Sequence, residues 1–254
     1  MRKKARRLQY AGIVFLLLFA VLYTKEEVTI SGNESSRFGV VQALGEQGVF
    51  YIEHTNFAST VDRTGRDGHV YSDKPLPLSV CAAAVHGAIH RVTGINFTEN
   101  RMLSIYLVNL IFSGGCSILL FLLIFNHLRR TSRGRLELKW LLALAMCLTT
   151  WLCSYSVVLN NHTPAALAVL CMIVALEKYR RKPTLKAASF AALAAGAAGA
   201  LDIPTGLFCG IAALVGIGLE SPAGNRLKPL ATVVVSGASV ALAVLALNFS
   251  GYGT

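Results

Sequence analysis

The chain has 254 residues, 54% hydrophobic and 15% charged, with a formal net charge of +11. A soluble domain carries about 25% charged residues, and apolar runs long enough to cross a hydrocarbon core of about 30 Å recur here, which excludes a soluble globular protein. The positive charge lies in short loops, with no basic face interleaved with aromatics, so it is not a nucleic-acid signature.

Residues 1–23 have a basic start (Arg2, Lys3, Lys4, Arg6, Arg7) and an apolar run from Leu8 to Tyr23. No Ala-x-Ala-like cleavage site follows, so the segment reads as an uncleaved anchor with its N-terminus in the cytoplasm. A polar stretch, Thr24–Pro75, comes next and ends in Tyr71-Ser72-Asp73-Lys74-Pro75. Leu76–Val92 is apolar enough to consider as a span. Six further spans are expected at Arg101–Phe125, Trp140–Leu159, Pro164–Leu176, Ala187–Leu201, Pro204–Leu219 and Pro229–Leu247. Ala187–Leu201 is nearly all Ala and Gly, which suits close helix packing. The six cysteines are scattered, form no CxxC pair and read as small apolar residues.

Charge decides how the spans thread. With 76–92 kept on the outer side, segments 1–7, 126–139, 177–186 and 220–228 face the cytoplasm and hold 17 of the 24 Lys and Arg. If 76–92 spans instead, the Arg129–Arg135 and Arg180–Lys182 clusters become external, against the positive-inside rule. The expectation is therefore an all-α polytopic protein of the inner, cytoplasmic membrane with about seven spans plus an outer juxtamembrane helix. It forms one transmembrane domain: an anchor over 1–23, an outer loop with its surface helix over 24–100, and further spans over 101–247. The chain stops just beyond the last span, which reads as truncation.

On that topology the polar stretch, the turn Asn160-Asn161-His162-Thr163-Pro164 and the turn Asp202-Ile203-Pro204 share the outer face. Thr163-Pro164 and Asp202 look like helix N-termini with a capping side chain and an early proline. Such termini favour anions, phosphate included.

Glu34, in Gly32-Asn33-Glu34-Ser35-Ser36-Arg37, lies just beyond the anchor. It is either a general base for an acceptor hydroxyl or amine or a solvated loop acid paired with Arg37. Asp73-Lys74-Pro75 places a cation at the start of the surface helix, as a phosphate-binding point charge or as a snorkelling turn lysine. Asp62, Asp67 and His69, with Glu34 or His54, carry ligand types suited to a divalent metal. Their spacing matches no metal motif, and a hairpin tip fits them better. His86 and His90 lack the Glu that HExxH requires and read as a polar stripe at the headgroups. Asp202 is a functional intramembrane acid or simply an N-cap.

The order of these parts, with Tyr-Ser-Asp-Lys-Pro opening a surface helix and Gly94, Asn96, Phe97 and Arg101 leading into a long span, carries a resemblance. Over roughly residues 8–200 the chain resembles the N-terminal half of GT-C fold membrane glycosyltransferases, in particular the protein O-mannosyltransferase and aminoarabinose-transferase-like group (glycosyltransferase family 39 and its bacterial relatives). The resemblance implies a polyprenyl-phosphate-linked sugar as donor and displacement at the anomeric carbon. It also implies a lipid, glycan or protein acceptor in the cell envelope. Lys74 matches the lysine associated with the donor phosphate. The acceptor-side Asp-Glu pair falls on Asn33 and Glu34, where Asn33 cannot take a proton, and Arg37 sits one place further on than usual. Two rivals remain open. One is a degenerate, non-catalytic scaffold. The other is a transporter or flippase, which the lack of an internal repeat argues against.

Overall fold

The computed structural model describes residues 2–28 and 32–252 and is 76% helical. Five helices are long and apolar enough to cross a membrane. They are α1 (Arg2–Tyr23), the continuous helix formed by α4 (Arg101–Val108), a π turn (Asn109–Gly114) and α5 (Gly115–Thr131), then α8 (His162–Arg181), α10 (Ile203–Glu220) and α11 (Leu227–Tyr252). Their outward faces are apolar: Leu207, Phe208, Leu242 and Phe249 are all exposed. Only lipid can solvate such faces, so the chain is integral to a membrane.

The other two expected spans differ. Trp140–Leu159 is not continuous: α6 (Leu136–Leu148) ends, and α7 (Trp151–Tyr155) starts after a break. Two threonines sit at the break. The Thr149 and Thr150 hydroxyls donate back to the carbonyls of Ala145 and Met146 at 2.7 and 2.9 Å, and the Thr150 hydroxyl also accepts from Leu152 N at 3.3 Å, capping α7. Side chains that compete in this way for backbone groups weaken a helix interior. The 13 residues of α6 reach only about 20 Å. The 17 residues of α9 (Leu185–Leu201) reach about 25 Å, also short of the hydrocarbon thickness.

α9 packs against α8, α10 and α11. Its alanines, including Ala188, Ala191 and Ala198, are fully buried. At its end Gly199 meets Gly206 of α10 so closely that a Cβ on Gly206 would lie 2.0 Å from the Gly199 Cα.

The segment between α1 and α4 folds into a cap. α2 (Gly32–Gln42) runs into a π turn (Ala43–Gln47), followed by β1 (Arg63–Arg66), β2 (His69–Ser72) and α3 (Leu76–Thr93). β1 and β2 pair antiparallel, Arg63 opposite Ser72 and Arg66 opposite His69. Asp67 and Gly68, both at positive φ, close the hairpin, as a two-residue turn between twisted strands requires. Phe38, Phe57 and Phe97 pack with Val41, Leu78, Ala82 and Ile105 into the core of the cap.

The expected polar stripe on α3 is corrected at His86. Its ring is fully buried and its Nε2 lies 2.8 Å from Glu46 Oε1, which also accepts from Phe97 N at 2.8 Å. The backbones of Gly45 and Gly87 approach closely enough for this; a Cβ on Gly87 would sit 3.2 Å from the Gly45 carbonyl oxygen. The spacing of His86, His90 and Arg91 marks one side of the helix, but the π turn, not water, covers its centre.

Candidate functional site

α2 starts with two buried charges. Glu34 is only 3% exposed, and its Oε1 accepts from the backbone N of Leu159 at 3.4 Å. It is therefore a buried helix residue and not a solvated loop acid. Arg37 follows one turn later and donates from Nη2 to Asn161 Oδ1 at 3.2 Å. Burial pulls the Arg37 guanidinium below its ordinary pKa, against the opposing pull of Glu34, Asp62 and Asp73. An arginine stays charged under such a shift, so it ties three carboxylates into one electrostatic neighbourhood. Its Nε is buried with no hydrogen-bond partner among the described residues.

The loop that faces Glu34 is held from both sides. Lys25 N donates to Val157 O at 3.0 Å, and Ser113 Oγ donates to Val158 O at 2.8 Å. Asn109 Nδ2 donates to Lys25 O at 3.0 Å. Ser113 and Asn109 both belong to the π turn and are buried, so that turn holds the loop directly through Ser113 and holds Lys25, which itself donates to the loop, through Asn109.

Hydroxyls link α2 to the hairpin. Ser36 donates to Asp62 O at 2.5 Å and lies 2.6 Å from Ser72 Oγ, which accepts from Lys74 N at 3.1 Å. Lys74 is thereby fixed at the mouth of α3. Its Nζ sits 3.1 Å from both Asp62 Oδ2 and Asp73 Oδ1. Burial works to lower the Lys74 pKa, but the two carboxylates outweigh it and the net shift is upward. The Tyr252 hydroxyl reaches the carbonyls of Ser72 and Lys74 at 3.0 and 3.1 Å, which joins the end of α11 to the cap.

Beside Lys74 opens a cavity of about 630 Å³ whose polar lining includes Arg66, Tyr71, Asp73, Asn248 and Tyr252. Gly199, Ala200, Ile203, Val244 and Asn248 are shared with an apolar groove of about 690 Å³ among α9, α10 and α11. The polar cavity and the membrane-level groove are thus continuous.

Of the residues singled out in the sequence, Glu34, Arg37, Asp73 and Lys74 come together. Asn33 is exposed. His162 and Asp202 lie instead on a separate groove of about 380 Å³, with Leu120, Ile124 and Ile173. Asp202 caps α10, accepting from Thr205 N at 3.3 Å. Thr163 does not cap α8: Asn160 Oδ1 accepts from the backbone N of His162 and Thr163 at 2.8 and 3.3 Å. Among the described residues no three His, Cys, Asp or Glu groups are placed to hold a metal. Glu34, His54, Asp67 and His69 are not brought together. His69 instead pairs with Glu53 at 2.5 Å, and Asp67 with Arg66 at 3.2 Å. The roles of Asp62, Ser36, Asn161 and Tyr252 escaped the sequence reading. Only Ser72 carried a local signal, inside the Tyr-Ser-Asp-Lys-Pro string.

No family model, curated protein or solved structure matches this chain.

Proposed function

We propose that the chain is a membrane glycosyltransferase of GT-C type, or the N-terminal part of one, with the cap on the outer face and the N-terminus in the cytoplasm. In this reading it moves a sugar from a polyprenyl-phosphate donor to a lipid, glycan or protein acceptor. The supporting observation is the continuity of the Lys74 cavity with the apolar groove. A donor with a charged phosphate and a long isoprenoid tail needs that combination of spaces. Lys74 and Arg66 would face the phosphate, and the glycine- and alanine-lined groove would take the tail. Glu34, buried beside Arg37, would accept the proton as the acceptor oxygen attacks the anomeric carbon. The bond from that carbon to the phosphate oxygen breaks, and polyprenyl phosphate leaves with both bonding electrons. The Asp62 and Asp73 pairs mean that Lys74 must exchange a carboxylate for the phosphate on binding.

A scaffold without chemistry is favoured by one observation, the neutralisation of Lys74 by two carboxylates in the resting state. Glu34→Gln and Lys74→Ala, made in the longest native form, separate the two readings. Transfer from a labelled lipid-linked sugar should fall at least a hundredfold in Glu34→Gln, the scale on which a general base contributes. Wild-type rates in both variants would remove the transferase reading.

A further inference from the structure

A second site lies at the other end of the bundle. α8 begins beside Arg37 and, with its 20 residues, carries the chain about 30 Å away from it. There the end of α5, the end of α8 and the start of α9 enclose a cavity of about 570 Å³. Arg130, Lys178 and Lys186 line it together with Val174, Phe190 and Leu193. A neighbouring cavity of about 340 Å³ shares Arg130, Val174 and Lys178 and adds His127 and Arg181.

The acid nearest these cations is already engaged. Glu177 holds His127 Nδ1 at 3.0 Å through one oxygen and Arg181 through the other. Among the described residues Arg130, Lys178 and Lys186 have no ion-pair partner. Loop cations in general follow from the positive-inside rule, which says nothing about where they point. Here three unpaired cations from three helices converge on one space, and its remaining wall is apolar at membrane depth apart from Ser189, whose hydroxyl is paired with Ser236 at 2.8 Å. A free phosphate would have no use for Phe190 and Leu193; a phospholipid would.

We propose that this cavity binds the headgroup of an anionic glycerophospholipid, with its phosphate among Arg130, Lys178 and Lys186 and its acyl chains against Val174, Phe190 and Leu193. Basic pockets between membrane helices recognise anionic headgroups by the same charge complementarity. The inference requires only that the chain is integral to a membrane, and it is independent of any transferase activity.

The test is native mass spectrometry of the full chain in mild detergent with phosphatidylglycerol, phosphatidylcholine or sn-glycerol 3-phosphate added. Phosphatidylglycerol should be retained preferentially. Each cation near the surface is worth about fivefold, so R130Q/K178Q/K186Q should weaken retention on the order of a hundredfold. R6Q/R133Q/K182Q removes equal charge from the same end, outside the cavity, and should keep the preference. If the first triple variant does not fold, K186Q alone should lose about fivefold. Equal retention of both lipids by the wild type, equal loss in both triple variants, unchanged retention in K186Q, or competition by glycerol phosphate as strong as by the lipid would each overturn the proposal.

Discussion

Gly206→Ala should separate α9 from α10, whereas Gly210→Ala, one turn further along α10, should not. The new Cβ at 206 would lie 2.0 Å from the Gly199 Cα and 2.5 Å from its N, both backbone atoms that cannot rotate away. Restoring ordinary contact at 3.4 Å requires the helices to part by about 1.4 Å. A Cβ at 210 meets nothing within 4 Å. Overpacking of this kind costs about 1–3 kcal/mol. At about 2–4 °C per kcal/mol for a chain of this size, thermal unfolding in detergent should move down by roughly 2–12 °C for Gly206→Ala. Gly210→Ala should stay within about 1 °C or rise, since Ala is the better helix former. Because Gly199 and Gly206 both line the apolar groove, the same change should alter binding of a long-chain polyprenyl phosphate. Equal melting temperatures for the two variants would refute the contact on which the α9–α10 packing rests.

Three further outcomes follow, two from the cap and one from the break between α6 and α7. Asp62→Asn and Asp73→Asn each remove one of the two carboxylates on Lys74. Either should strengthen inorganic phosphate or lipid-phosphate binding by a few-fold, and calorimetry showing weaker binding in both would contradict the exchange of carboxylate for phosphate. Burial raises the Glu46 pKa, but the bonds from His86 and Phe97 outweigh it, so the folded value lies below the ordinary 4.5. Its stabilising contribution is therefore complete above pH 4.5 and is lost as pH falls through the depressed folded value. The melting-temperature gap between wild type and Glu46→Gln should shrink on acidification below pH 4.5; a gap independent of pH would rule out this linkage. Thr149→Val with Thr150→Leu removes the two back-bonding hydroxyls and the α7 cap. Helix should then extend through 149–150, seen as slower amide exchange at Trp151 and Leu152, and unchanged exchange would assign the break to another cause.

The sequence carried the membrane character and the neighbourhood of the site for different physical reasons. Spans announce themselves because lipid requires a long apolar run from each segment separately. The interruption at Thr149-Thr150 was less visible, because hydroxyls that bond back within one turn do not change hydropathy. In the cap, Glu34, Arg37, Asp73 and Lys74 stood out as charges near the membrane surface. What pairs with them depends on chain reversal: Asp62 reaches Lys74 because it immediately precedes β1, whose Arg63 lies opposite Ser72. No spacing rule reads a contact set by hairpin register. His86 misled for the opposite reason, since its helical periodicity marked a face correctly but could not name what covers it.

The pairing of Lys74 constrains any chemistry at this end more than the presence of the lysine does. Glu34, Asp62 and Asp73 face Arg37 and Lys74, so this inner group carries one more negative charge than positive when all five are ionised. An incoming phosphate is repelled unless a carboxylate withdraws or another cation joins. Arg66 on β1 lines the same cavity. Asp73 is exposed and Asp62 is half-buried, so Asp73 is the carboxylate that can turn to water at least cost. Asp62 is less free to move: its own carbonyl is held by Ser36. Phosphate binding at Lys74 should therefore release the Asp73 contact and keep the one to Asp62. That order places the phosphate on the cavity side of Lys74, at the entrance to the apolar groove.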